Sequence, residues 1–136
     1  MTQPYALTFE HRPHYLFVVV DGEEDTVAIS LAYWAEIAAE CRRHHVSRLL
    51  VLEKLKAKSS NDDADVVIAE LPRMFGDIRI AFVDMDESVD VLVHAEIEAR
   101  RAGLVSHVFG SLEAARQWLL RDVDQDVRGG ARAAMN

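Results

Sequence analysis

Hydroxyls, carboxylates and imidazoles are spread along this chain, and their spacing decides what chemistry each could support. Ser59 and Ser60 stand together, preceded by Lys54, Lys56 and Lys58 and followed by Asn61-Asp62-Asp63. Hydroxyls just ahead of an acidic turn match a helix start. A serine or asparagine side chain accepts from a free backbone N–H there, and the acids complement the dipole. Asp84, Asp86, Glu87 and Asp90 form a second acidic group. Carboxylates suit a hard cation such as magnesium, but this spacing matches no calcium loop. An acidic helix start accounts for it, and no metal site is expected. The six histidines are His11, His14, His44, His45, His94 and His107. His44 and His45 are adjacent, and neighbours on a helix point different ways. No His-x-x-x-His pair falls on a helix, so the zinc-binding pattern is missing. Cys41, the single cysteine, has no disulfide partner in the chain and lies at an apolar helical position, as a small buried hydrophobe. The glycines form no phosphate-cradling loop, and no Gly-x-Ser-x-Gly elbow occurs. No catalytic, cofactor-binding or metal-binding residue is assigned from these patterns.

The elements that position these groups follow from periodicity. Tyr5 to Glu10 alternates with a period of two, as a half-buried strand does. After a turn at Arg12-Pro13, Tyr15 to Val20 is a continuous β-branched and aromatic run, suited to a strand covered on both faces. The two are close enough for an antiparallel hairpin. Leu31, Trp34, Ile37, Ala38 and Cys41 recur at helical spacing, capped by Thr26 or Ser30 and ending near His45. Leu49 to Leu52 is a third strand. The second helix follows Ser59-Ser60, with Ala64, Val67, Ile68 and Leu71 as its apolar face; Pro72 should end or bend it. Ile78 to Val83 is a fourth strand and Glu87 to Ala102 a third helix, stopped by Gly103. Leu104 to Phe109 is a fifth strand, and Ser111 caps a last helix bearing Leu112, Ala115, Trp118 and Leu119.

The order β-β-α-β-α-β-α-β-α predicts an α/β domain over 1–121: a single mixed five-stranded sheet, its first strand antiparallel, with about four helices. Residues 122–136 lack any period and read as a flexible tail. Ligands of open α/β sheets sit beyond the carboxyl ends of the parallel strands. That rim should carry Lys54, Lys56, Lys58, Ser59, Ser60, Asp84, Asp86, Ser88 and Ser111. The 136 residues can bury a proper core, and the formal net charge of −8 argues against nucleic acid or an anionic membrane as partner. No run approaches a transmembrane length, and Met1 to Tyr5 lacks a leader's basic and apolar pattern, so a cytoplasmic location is expected. A homodimer is also expected as an option, through the edge of the first strand and an aromatic patch at Tyr33.

Two segments carry a resemblance to a known family. Asp77-Ile78-Arg79-Ile80-Ala81-Phe82-Val83-Asp84 resembles the fourth strand of the STAS-type, stage II sporulation protein AA-like proteins, which are related to CRAL-TRIO lipid carriers. Val108-Phe109-Gly110-Ser111-Leu112-Glu113-Ala114-Ala115-Arg116-Gln117-Trp118-Leu119 resembles their last strand, capped turn and closing helix. The likeness spans about Tyr5 to Leu120. It implies a bacterial, non-catalytic binding and regulatory module acting through a protein partner, with no cofactor. The lipid-carrier relationship implies a small apolar ligand instead. In the antagonists of this family a serine at the start of the second helix is phosphorylated, which makes Ser59 and Ser60 possible phospho-acceptors or partner contacts. Here Asn61-Asp62-Asp63 replaces the glycine that follows the family's serines, and those acids would repel a phosphate; helix capping explains the serines without one. Lys56, Lys58, Asp84, Ser88 and Ser111 are the candidate ligand contacts. A third possibility is a small enzyme using Asp84, His107 or Ser111 at the rim.

Overall fold

A computed structural model describes residues 4–56 and 60–123. The elements run β1 (Tyr5–His11), β2 (Leu16–Gly22), α1 (Val27–Arg43), β3 (Arg48–Leu55), α2 (Asn61–Phe75), β4 (Arg79–Val83), α3 (Val89–Ala102), β5 (Ser106–Phe109) and α4 (Leu112–Leu120). The five strands lie side by side in chain order, with β1 antiparallel to β2 and the rest parallel. The expected fold class is the observed one.

That order dictates where the helices go. Each βαβ crossover steps one strand in the same direction. Right-handed crossovers of that kind place their helices on one common face. Leu16, Val18 and Val20 of β2 and Leu49 and Val51 of β3 accordingly pack under Trp34 and Ile37 of α1, Leu71 of α2 and Ala99 of α3. The last helix, α4, closes no crossover and is free to cross to the other side. There Ala115 and Leu119 seal Leu50, Leu52, Ala81 and Val83. The register agrees: Leu49 pairs with Leu16 and Ile80 on the first face, Leu50 with Phe17 and Ala81 on the second.

Several boundaries move for local reasons. Thr26, not Ser30, caps α1, accepting from the Ile29 N–H at 3.1 Å. Pro72 neither ends α2 nor stands alone: the helix runs three residues on, to Phe75. A proline so near the end removes a single ladder bond, and its carbonyl still accepts from Gly76 N–H at 3.0 Å. Phe75, buried edge-on against Trp34 at 5.9 Å, holds the last turn. Gly103 ends α3 with φ of 96°, a conformation where a Cβ is disfavoured. Tyr33 is 1 % exposed, so the expected aromatic surface patch is in fact core. Of the expected tail, Asp122 is tied back by Arg79 at 2.7 Å, and 124–136 lie outside the described residues. Among the described residues no helix is long and apolar enough to cross a membrane.

Candidate functional site

β2, β3 and β4 are parallel, so their carboxyl ends open on one side of the sheet. Between that rim and helices α1, α2 and α3 lies a cleft of about 140 Å³. Its body is apolar. Trp34 and Phe82 form one wall, Leu71 and Ile68 of α2 another, and Val91 and Leu92 of α3 a third. Free space of that size holds a benzene-sized body. The α3 wall is thinly fastened, since Ala99 is the helix's one fully buried residue among those described.

The polar groups gather at the mouth. Asp25, from the β2–α1 loop, accepts a short hydrogen bond from the Ser30 hydroxyl. Ser30 Oγ stands 3.4 Å from the Tyr33 hydroxyl, which in turn points at Glu53 Oε1, 3.5 Å away. Burial pushes the Tyr33 phenol far above its ordinary range, and the charges of Glu53 and Asp25 push it further. Tyr33 therefore stays a neutral hydrogen-bond donor throughout the working pH range. Asp84 closes the β4 end. It is 7 % exposed, and its Oδ1 accepts from Asp86 N–H at 3.2 Å. With Glu87, these put four carboxylates in the lining of the cleft.

The expected rim residues divide. Asp84 lines the cleft, and so does Asn61 at the start of α2. Ser60, Ser88 and Ser111 are the N-caps of α2, α3 and α4, accepting from Asp63, Val91 and Ala114 at 3.2, 3.4 and 3.2 Å. Lys56 pairs with Glu23 at 3.0 Å across the ends of β2 and β3, both side chains largely in water. Lys58 and Ser59 lie outside the described residues. The three groups of the enzymatic alternative serve separate tasks. Ser111 caps α4, Asp84 accepts from Asp86, and His107 Nδ1 meets Glu96 Oε1 at 2.5 Å while its ring packs edge-on against Trp118 at 4.8 Å.

Asp25, Ser30, Tyr33 and Glu53 were not expected at the site. For Glu53 a signal existed. β3 runs to Leu55, so Leu49, Val51, Glu53 and Leu55 share one face by the period of two. A carboxylate on an otherwise apolar strand face is the mark of a polar site. Cutting the strand at Leu52 puts Glu53 in a loop and hides it. Asp25 follows from the same rule as the other rim loops, since β2 is also parallel to its neighbour.

No protein-family model and no curated protein matches this chain.

Proposed function

We propose that this chain is a non-catalytic, STAS-like binding module whose ligand is a small, mostly apolar molecule with a polar head. The observation that carries the reading is the cleft: an apolar body whose lining also holds the polar groups of Asp25, Ser30, Tyr33, Glu53 and Asp84. Closing apolar atoms away from water stabilises a complex by about 25 cal/mol per Å². A polar head can hydrogen-bond to these groups in a partly dry setting, where such bonds are stronger than in bulk water. A full acyl chain exceeds the space described, so the carrier alternative narrows to a short chain or a single ring.

Trp34 lines the cleft and Trp118 packs on the opposite sheet face, so the W118F variant leaves Trp34 as the one tryptophan. Titrating this variant with n-hexanol should change Trp34 emission saturably. Replacing Ala95 by Phe fills the cleft and should remove the response. No saturable response, or one that survives Ala95→Phe, would sink the reading.

A protein partner is favoured by a second observation. Val89, Val93 and Ile97 recur every four residues on the outer side of α3 and are exposed, Val89 to 73 %, with exposed Met85 just before the helix. Such a stripe is what a helix presents to a partner. The inner side of the same helix walls the cleft, so ligand occupancy and partner binding would act on one element.

A further inference from the structure

The opposite end of the sheet brings together residues from elements far apart in the chain. β1 runs against β2, so its last residue, His11, sits beside Leu16, at the amino end of the parallel strands. α1 runs back over the sheet from the ligand cleft, so its final turns reach that same end. Glu40 and His44 are four apart on α1 and therefore share a face. His11 Nε2 lies 2.9 Å and His44 Nε2 3.6 Å from the same atom, Glu40 Oε2. The two rings are tilted by 55° with centroids 4.4 Å apart, so they converge on that oxygen rather than stack. The three ligand atoms all lie within 4.8 Å of one another.

We infer that His11, Glu40 and His44 form a binding site for a divalent transition metal of the zinc class, with an open fourth position. The spacing argues for it directly. Zinc binds imidazole nitrogen and carboxylate oxygen at about 2.0–2.1 Å, so neighbouring ligands of a tetrahedron stand about 3.3 Å apart. The two nitrogen–oxygen separations straddle that value. Two imidazoles and one carboxylate suit zinc and its first-row neighbours, not magnesium or calcium, which prefer oxygen. The ligands are also held in place. Arg43 Nη1 engages the other carboxylate oxygen, Oε1, at 2.7 Å, which leaves Oε2 for the metal. The turn that carries His44 is closed by Val46 N–H on Cys41 O at 2.9 Å, and the hairpin end that carries His11 by Arg12 N–H on Tyr15 O at 2.9 Å. The fourth position gives onto a polar cleft of about 340 Å³ between the hairpin and the α1–β3 loop, which His14 and His45 also line. A water can complete the tetrahedron.

The test uses the full chain without a histidine tag, stripped with EDTA and dialysed. Zinc is titrated calorimetrically and cobalt(II) by visible absorption, whose intensity separates tetrahedral from six-coordinate binding. One equivalent per chain is expected, with an intense tetrahedral cobalt spectrum. His11→Ala and His44→Ala should each weaken zinc by at least ~10-fold, the order lost when even the support of a metal ligand is removed. The double variant should bind none at the site. His94→Ala breaks a comparable histidine–carboxylate pair, with Asp65 at 2.9 Å on α2, and should leave zinc affinity unchanged. His11 and His44 are both exposed, so far-ultraviolet circular dichroism of their variants should match the wild type. No stoichiometric uptake, or binding undiminished by both single substitutions, would overturn the site and leave a histidine–carboxylate clamp between β1 and α1. Neither result bears on the ligand cleft, which uses none of these residues.

Discussion

Single residues in this chain owe their roles to one or two neighbours, and the neighbours are often remote. Cys41 has a thiol pushed up to about 12 by burial first and by the Glu40 charge second, opposed by Arg42, which makes it an inert packing group. Ser60 is engaged as a helix cap, so modifying it would break the bond to Asp63 N–H and set a phosphate beside Asp62 and Asp63. Glu96 shows how opposed effects combine. Burial raises its carboxyl, yet the His107 hydrogen bond and the Val108 N–H at 3.2 Å outweigh it and hold the group below its usual range. A carboxyl lowered by folding stabilises the fold above its unfolded value, near pH ~4.3, and loses that contribution as pH falls through the lower folded value. Glu96→Gln should therefore cost about 0.5–1 kcal/mol in urea unfolding at pH 7, after allowing for solvent screening. At pH 2 the two proteins should have the same midpoint. A gap that persisted in acid would show that the loss is packing, not charge. No two histidines stand four residues apart, but Glu40 and His44 do. Their third member, His11, is in contact only because β1 and α1 pack side by side.

At the scale of elements, capping was the most legible feature. Thr26, Ser60 and Ser111 cap their helices as the sequence suggests, because the interaction closes within three residues and needs nothing from the rest of the fold, whereas Ser88, expected as a rim contact, turns out to cap α3. Strand ends were less legible. β3 continues past Leu52 because Val20, Asp21 and Gly22 of β2 supply partners for Glu53, Lys54 and Leu55, a pairing invisible within β3 itself. Gly22 is the close approach that permits it: a Cβ there would stand 2.9 Å from Leu55 Cδ2 and 3.1 Å from the Pro4 carbonyl oxygen. α4 is the element most dependent on a few contacts. It has nine residues, too short to persist alone in water, and Ala115 and Leu119 are its two buried side chains. Leu119→Ala should cost ~2–5 kcal/mol, the range for deleting a buried leucine side chain. Equilibrium unfolding gives the number, and hydrogen exchange should show α4 losing protection before β3 and β4. A loss below ~1 kcal/mol would mean that α4 is not what seals that face of the sheet.

The whole molecule is asymmetric across its sheet and along it. Three helices cover one face. α4 covers part of the other, leaving Phe17 and Val19 half-buried and Ala6, Thr8 and Glu10 of β1 exposed. One end of the sheet bears the cleft lined by Asp25, Glu53 and Asp84, the other the histidine cluster, with α1 running between them. If a second copy of the chain is the partner for the α3 stripe, light scattering should show a dimer, and Val93→Asp should return it to a monomer. A dimer unaffected by Val93→Asp would assign the contact to the β1 edge instead. A monomer at millimolar concentration would rule out self-association and leave a different protein as the partner for the stripe. Element order, the mixed sheet and the antiparallel first strand were determined by the sequence alone. Periodicity, caps and crossover handedness are rules that act over short stretches, and they apply before any long-range contact forms. Which groups meet was decided only by the tertiary structure. Asp25, Glu53 and Asp84 converge because three parallel strands end together, and His11 reaches Glu40 and His44 because the hairpin folds under the end of α1. Those meetings depend on strand register and helix placement, which no stretch of sequence contains by itself.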